Sequence, residues 1–358
     1  MGALKPAAGY FRVPIATAQA IATANPDPDL LAAWLVLRRF AYGTKRELTA
    51  AGAKKIAASL GMTRPRAGGL LRSLLAIRFG ERGESAVMMT ARDWNEATGQ
   101  SVPAMRGNAP VYVTPNPGGD SAYLPDLLIP PGDTRSYLAD LCELDAELGL
   151  DALRVVLHAH HNTSCGDFIG ADPDTFACTR WVSEGVATGD SELGLIGSTK
   201  GRHYWLVMEA DSNTATWPAI EAATGGRTDS HVQRFWAGLS AVTRRGLLCR
   251  IAIVSDARGR LLYPLWVYGD SHRTRLEQLG IAGDLARKFH RVATRAGFEP
   301  ASVLASEAMS GETGVFVCAT PTASAPIIRT VYVPTLVAPT PDNMAGMADV
   351  AELARKWG

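Results

Sequence analysis

The chain has 358 residues, of which 47% are hydrophobic and 20% charged, with a mean hydropathy of +0.01: the profile of a soluble globular protein with length for two or three domains. It has no run of 18 or more uncharged apolar residues, which excludes a transmembrane helix, and the opening MGALKPAAGYFR lacks the apolar core of a signal peptide, so a cytoplasmic location is expected. The formal net charge of +1 taken whole argues against a polyanion partner, but the charges segregate: +8 over 38–93, −12 over 118–221 and +7 over 222–300. Five cysteines (Cys142, Cys165, Cys178, Cys249, Cys318) include no CxxC pair and read as reduced thiols, mainly core filler.

From Pro28, apolar residues at three- and four-residue spacing (Leu30, Leu31, Trp34, Leu35, Leu37, Phe40) predict a helix ending before Gly43. A second helix is expected from about Ala50 to Leu60, with Ile56, Ala57 and Leu60 inward and Lys54 and Lys55 outward, and Gly61 stops it. Thr63 is the expected N-cap of a third, with Pro65 in its first turn and a buried stripe of Ala67, Leu70, Leu71, Leu74 and Ile77. Arg64, Arg66 and Arg72 lie on its outward side. Gly68 and Gly69 each cost about 1 kcal/mol of helix stability relative to Ala; they imply close approach of another backbone, either DNA or the preceding helix. Residues 78–83 and 86–90 then predict a hairpin bearing Arg78 and Arg82.

With Ala53 counted as its first residue, this spacing resembles the helix-turn-helix of DNA-binding proteins, Ala57 at the small fifth position and Gly61 at the ninth, in the turn. Together with the hairpin it is similar to a winged helix. The resemblance implies that the third helix enters the major groove, where arginine reads guanine through a bidentate contact.

Residues 104–135, rich in Pro, Gly and Asp, read as a linker, and 136–150 as an acidic amphipathic helix with Tyr137, Leu138, Leu141, Leu144 and Leu148 inward. Residues 151–163 predict a buried helix or strand, Tyr204–Glu209 a short strand and Trp217–Ala223 a short helix. Ser230 is the expected cap of a longer helix whose inner stripe is Val232, Phe235, Trp236, Leu239 and Val242, with His231, Gln233, Arg234 and Arg244 outward. The β-rich runs 248–254 and 261–268, joined by a turn containing Arg258 and Arg260, predict a basic-tipped hairpin. Helix, turn, longer helix and hairpin again resemble a winged helix in order, although Glu221 stands where a small residue is usual. A basic helix over 284–297, apolar runs at 315–319 and 327–337 and a closing helix near 347–357 complete the chain.

Three segments carry patterns related to catalysis. His158-Ala159-His160, if on a strand, resembles the metal-binding motif of rolling-circle and relaxase nucleases, but the downstream tyrosine, Tyr204, has no lysine at helical spacing. Zinc sites usually present Cys and His in pairs at short spacings, and among His158, His161, Cys165 and Cys178 only the His161/Cys165 spacing fits. Gly194–Gly201 carries Thr199 where a phosphate loop needs glycine. No catalytic residue, metal or cofactor is assigned.

The expectation is therefore an α+β chain with an N-terminal winged-helix module (1–100), a linker and acidic helix (101–150), a second winged-helix module (151–270) and a C-terminal α/β extension (271–358). The expected DNA-binding residues are Lys54, Lys55, Thr63, Arg64, Arg66, Arg72, Arg78 and Arg82 in the first module, and Arg234, Arg244, Arg245, Arg258 and Arg260 in the second. The tandem layout resembles plasmid-type replication initiators, which implies double-stranded DNA as partner and replication initiation as role. A transcriptional regulator, a protein-interaction scaffold and a nicking enzyme built on His158 and His160 are the alternatives. The closing helix is a candidate homodimer contact and the acidic segment a candidate protein-docking surface; no membrane partner is expected.

Overall fold

The structure, a computed structural model, describes residues 5–6, 9–41, 47–80, 83, 85–101, 110–115, 119–164, 170–171, 176–188, 203–255, 261–266, 314–319 and 327–337. In chain order the elements are β1 (Lys5–Pro6), β2 (Tyr10–Pro14), α1 (Ile15–Ala24), α2 (Pro28–Arg39), β3 (Leu48–Thr49), α3 (Ala53–Leu60), α4 (Arg64–Ala76), β4 (Arg78–Phe79), β5 (Ser85–Ala86), β6 (Met89–Thr90), α5 (Ala91–Thr98), β7 (Tyr112–Val113) and β8 (Ser121–Pro125). There follow α6 (Ala139–Cys142), α7 (Ala146–His161), β9 (Thr163–Ser164), β10 (Gly170–Ala171), β11 (Ala177–Thr188), β12 (His203–Ala215), α8 (Trp217–Thr224), α9 (Asp229–Arg244), β13 (Leu248–Ser255), β14 (Leu261–Trp266), β15 (Gly314–Ala319), β16 (Ile327–Pro334) and β17 (Leu336–Val337). The architecture is mixed α and β, with helices and small antiparallel sheets; β1 and β17 pair in parallel. No helix among the described residues is long and apolar enough to cross a membrane.

The chain forms two compact units that cut across the expected boundaries. One comprises 1–162, 217–248 and 334–341, the other 163–216, 249–333 and 342–358. All nine of the helices named above belong to the first unit.

That unit is organised by α2. Its sequence between the caps, PDLLAAWLVLRR, is apolar on every side, and each residue from Pro28 to Arg38 is buried, which a helix achieves only when packed all round. Helices α1, α3, α4, α6 and α7 and strand β2 supply the cover. Asp27 caps its start, the side chain accepting from Asp29 N at 2.9 Å, with Pro28 in the first turn. At the other end the guanidinium of Arg38 is taken inside. Its Nη1 donates to the carbonyl of Thr114 at 2.8 Å and to Thr114 Oγ1 at 3.0 Å, and its Nη2 donates to the carbonyl of Arg12 at 3.0 Å. Burial lowers its pKa to about 10, so the group stays charged at neutral pH, beside the helix end that favours a cation. One side chain thereby ties the end of α2 to β2 and to the residue after β7.

Much of the described part of the stretch expected to be a linker contributes to the core. β8 pairs antiparallel with β2, Phe11 opposite Leu124 and Val13 opposite Ala122, and all four are buried. Pro14 and Pro125 sit at the ends of this two-stranded ribbon, where a missing N–H costs nothing. Ser136 N donates to Ser59 O at 2.7 Å, Ser136 Oγ donates to Leu128 O at 2.8 Å, and Leu128, Ile129 and Leu138 are buried. The acidic helix expected over 136–150 is divided: α6 stops at Cys142, and α7 starts after Asp145, whose carboxylate accepts from Leu148 N at 3.0 Å. Tyr137, expected inward, is exposed.

The α3–α4 hairpin follows the expected pattern. Ile56, Ala57, Leu60, Ala67, Leu70, Leu71 and Leu74 are buried, and Gly61 turns the chain at φ +68, a left-handed conformation that suits glycine. Further along, α9 crosses α7 so closely that a Cβ on Gly238 would stand 3.3 Å from Ala152 N. The N-cap of α9 is Thr228 rather than Ser230, which lies inside the helix.

In the second unit, strands lie in the order β14-β13-β16-β11-β12-β15 in one six-stranded sheet. The hairpin β13–β14 forms in antiparallel register as expected, Ile251 opposite Trp266, but it is the edge of this sheet and not a free-standing wing, and its turn lies outside the described residues. The strand expected at Tyr204–Glu209 runs on through His203–Ala215 as half of the hairpin β11–β12.

Replacing Arg38 by Met should lower unfolding stability by roughly 3 kcal/mol or more in urea titration, because carbonyls of Arg12 and Thr114 lose a charged donor. Gly238→Val should cost about 2 kcal/mol through overpacking between α7 and α9.

Candidate functional site

The outward side of α4 is made of small residues and one arginine. At 100° per residue, Pro65, Gly69, Arg72 and Ala76 line up opposite the buried Ala67, Leu70, Leu71 and Leu74. Arg64 and Arg72 are exposed and form no ion pair among the described residues, and the same holds for Lys54 on α3. Thr63, the N-cap, is exposed and its side chain makes no cap hydrogen bond. An added Cβ at Gly69 would meet nothing within 4 Å, and one at Gly68 only Arg72 Nη1 at 3.9 Å. Packing against the preceding helix therefore does not explain these glycines.

Two cations expected on this surface are engaged within the fold, although the Arg66 side chain stays 61% exposed. Arg66 pairs with Asp29, a buried carboxylate in the first turn of α2. Burial pushes the Asp29 carboxyl up while Arg66 and the Cys142 thiol act against it, and burial beside that carboxylate raises the thiol in turn, so Cys142 stays protonated. Lys55 donates to the carbonyl of Gly132 and lies over the Phe40 ring, 4.5 Å from its centroid, with its pKa lowered by burial. Neither carboxylate Asp29 nor carbonyl Gly132 is near its partner in the sequence, which is why amphipathicity reports neither pairing. Arg78 is exposed but caps α4, Nη1 donating to Leu75 O at 2.7 Å and to Ile77 O at 3.1 Å. Arg82 lies outside the described residues.

Two of the five cations expected on the second basic surface, Arg234 and Arg245, are engaged within the fold. Arg234 forms a bidentate pair with Asp151, Nε to Oδ2 and Nη2 to Oδ1 both at 2.8 Å, and a third contact from Nη1 to Glu147 at 2.7 Å. Asp151 is 1% exposed, so this fork holds α9 on α7 instead of facing solvent. Arg245 donates to the carbonyls of Asp140 at 3.0 Å and Ala241 at 3.4 Å. Arg244 is exposed; Arg258 and Arg260 lie outside the described residues. Part of the acidic excess is thus matched internally, Asp140 and Glu143 by Arg135 and Asp126 by Arg39 as well.

The histidines at 158–161 lie on α7, not on a strand. On a helix, His158 and His160 point about 200° apart, whereas a strand would put both on one face. No group of three His, Cys, Asp or Glu able to hold a metal occurs among the described residues. Cys165 and Gly194–Gly201 lie outside them, as do the side chains of Cys178, Arg258 and Arg260.

Burial lowers the pKa of His160 to about 3 and that of His158 to about 4, the charge of His161 adding to the second, so both rings are neutral at pH 7. Their ordinary value is 6.5, so below that pH the unfolded chain binds protons that the folded chain refuses. Stability should be complete above that value and fall by roughly 1 kcal/mol per pH unit per histidine on acidification towards pH 4, with the raised Asp29 carboxyl opposing part of the loss. Urea midpoints at pH 7 and pH 5 check this; His160→Leu should shrink the difference, and an unchanged difference would exclude His160 as its source.

Compared with family models, curated proteins and solved structures, the chain matches none.

Proposed function

We propose that the chain binds double-stranded DNA through α4, read as the recognition helix of a single N-terminal winged helix made of α2, β3, α3, α4 and the hairpin β4–β5. The observation that carries this is the outer face of α4, where Gly69 stands in the open between Pro65, Arg72 and Ala76. A glycine inside a helix lowers its stability and brings no internal packing here. It lets a second surface approach the helix axis, which a deep groove demands. Arg64, Arg72 and Lys54 supply cations for phosphate or base edges, and the residues from 38 to 93 carry a net charge of +8.

Support for a second, tandem module is weaker, because Arg234 and Arg245 are engaged within the fold and β13–β14 belongs to a larger sheet. Replication initiation on a plasmid-like element, which rested on that tandem layout, therefore stands behind the simpler proposal of one DNA-contacting helix, as does transcriptional regulation.

Fluorescence anisotropy with a random-sequence duplex should show binding that weakens steeply with salt. The double variant Arg64→Ala/Arg72→Ala should reduce the slope of log affinity against log salt by about 1.8, close to 0.9 for each lost phosphate contact. Arg92→Ala, an exposed cation paired with Glu96 on α5, is the control and should change little. Weak, salt-insensitive binding would overturn the proposal. Gly69→Ala should separate fold from function: it should stabilise the protein by up to about 1 kcal/mol and weaken DNA binding.

A further inference from the structure

The two arginines in the first turn of α4 flank the small-residue face of the helix. At 100° per residue, Arg64 stands about 110° to one side of the line through Pro65, Gly69, Arg72 and Ala76, and Arg66 about 90° to the other. A helix lying in the major groove has a phosphate backbone along each side, so a cation on each flank suits such a groove.

Arg66 is held differently from the other paired arginines. Its only partner among the described residues is the carboxylate of Asp29, reached through Nη2. That carboxylate is 7% exposed while the arginine side chain is 61% exposed; Arg234, which locks α9 on α7, is 29% exposed. Guanidinium offers five donors, and the ion pair uses one nitrogen, so most of the group still faces solvent. Asp29, by contrast, is fixed. It lies in the first turn of α2, the helix covered on every side, with its backbone N–H held by Asp27 and its carboxylate met by the thiol of Cys142.

We propose that Asp29 is a positioning residue: from inside the fold it fixes Arg66 at the flank of α4, so that the remaining donors of the guanidinium meet a phosphate of the bound duplex. This rests on the reading of α4 as the DNA-contacting helix, and adds a further phosphate ligand in its first turn and the buried carboxylate that prepares it. Holding the side chain before binding removes part of the rotamer entropy that a free arginine loses on contact. The planar fork suits the task, because one nitrogen can serve the carboxylate while the others serve the phosphate.

Positioning and plain electrostatics predict opposite signs. Asp29 places a negative charge near the phosphate that Arg66 meets, so on charge alone its removal strengthens DNA binding. If Asp29 positions Arg66, its removal weakens binding.

The test uses the full chain, fluorescence anisotropy with a random-sequence duplex over a range of salt concentrations, and thermal unfolding to set a temperature at which every variant is folded. Arg66→Met should reduce the slope of log affinity against log salt by about 0.9, one phosphate contact. Asp29→Ala should keep the slope and weaken binding by about threefold or more, the effect of releasing one rotamer-rich side chain. Asp29→Asn, which keeps an acceptor oxygen, should retain most of the affinity, and Asp29→Ala should cause no further loss once Arg66→Met is present. An unchanged slope in Arg66→Met overturns the proposal by making the pair a clamp for folding alone, and it decides the matter even if Asp29→Ala fails to fold. Tighter or unchanged binding by Asp29→Ala, or an equal loss in the Arg66→Met background, overturns it too. Each of these results leaves the reading of α4 standing as long as Arg64→Ala/Arg72→Ala still lowers the slope; wild-type binding that ignores salt removes both.

Discussion

The first unit depends on a helix with no outer face. Because α2 is covered on every side, whatever charge its sequence carries at either end must be solvated by protein. At the C-terminal end the solution is Arg38, whose donors are met by carbonyl oxygens of two distant segments. At the N-terminal end it is Asp29, met by Arg66 and by the thiol of Cys142. Both arrangements work as clamps, since the partner comes from another element each time. The buried charges thus specify which strand and which helix flank α2, a role that uniformly apolar packing fills less selectively.

The same logic runs through the arginines of α9. A guanidinium on an amphipathic helix was expected to face water, yet Arg234 finds Asp151 and Glu147 on α7. Gly238 brings the two helices close enough for that fork to close, so a small residue and an ion pair work together at one interface. The acidic excess over 118–221 is in part the complement of cations elsewhere in the unit: Asp126 of Arg39, Glu147 and Asp151 of Arg234.

What was legible in the sequence was what short-range physics determines. The α3–α4 hairpin follows from apolar spacing, a glycine turn and proline in the first turn of α4, and its buried residues come out as expected except Ile77, which caps the end of α4 and is only half-buried. The hairpin β13–β14 follows from β-rich runs around a turn. What was not legible was pairing over distance. Arg66 and Asp29, Lys55 and Gly132, and Arg234 and Asp151 are each separated by 37 residues or more, and no local pattern reports them. The short strands β7 and β8 were hidden among prolines for a related reason: their apolar residues are few, and only pairing with β2 and β3 gives them a reason to be extended. Composition called that stretch a linker because composition does not see a partner.

The first unit is discontinuous: the chain leaves it after Asn162, returns at Trp217, leaves again after Leu248 and re-enters at Pro334. Its outermost pairing sets Lys5 and Pro6 beside Leu336 and Val337. During synthesis, at roughly 5–20 residues per second, the first strand therefore waits on the order of tens of seconds for its partner to be made. Throughout that interval the apolar helix α2 and its early neighbours exist without α9 and the closing strand. Closure of the unit is thus a late, long-range event, with the slow entropy of joining distant segments built into it. The helices that carry the proposed DNA surface, by contrast, are complete within the first eighty residues and pack mainly on one another and on α2.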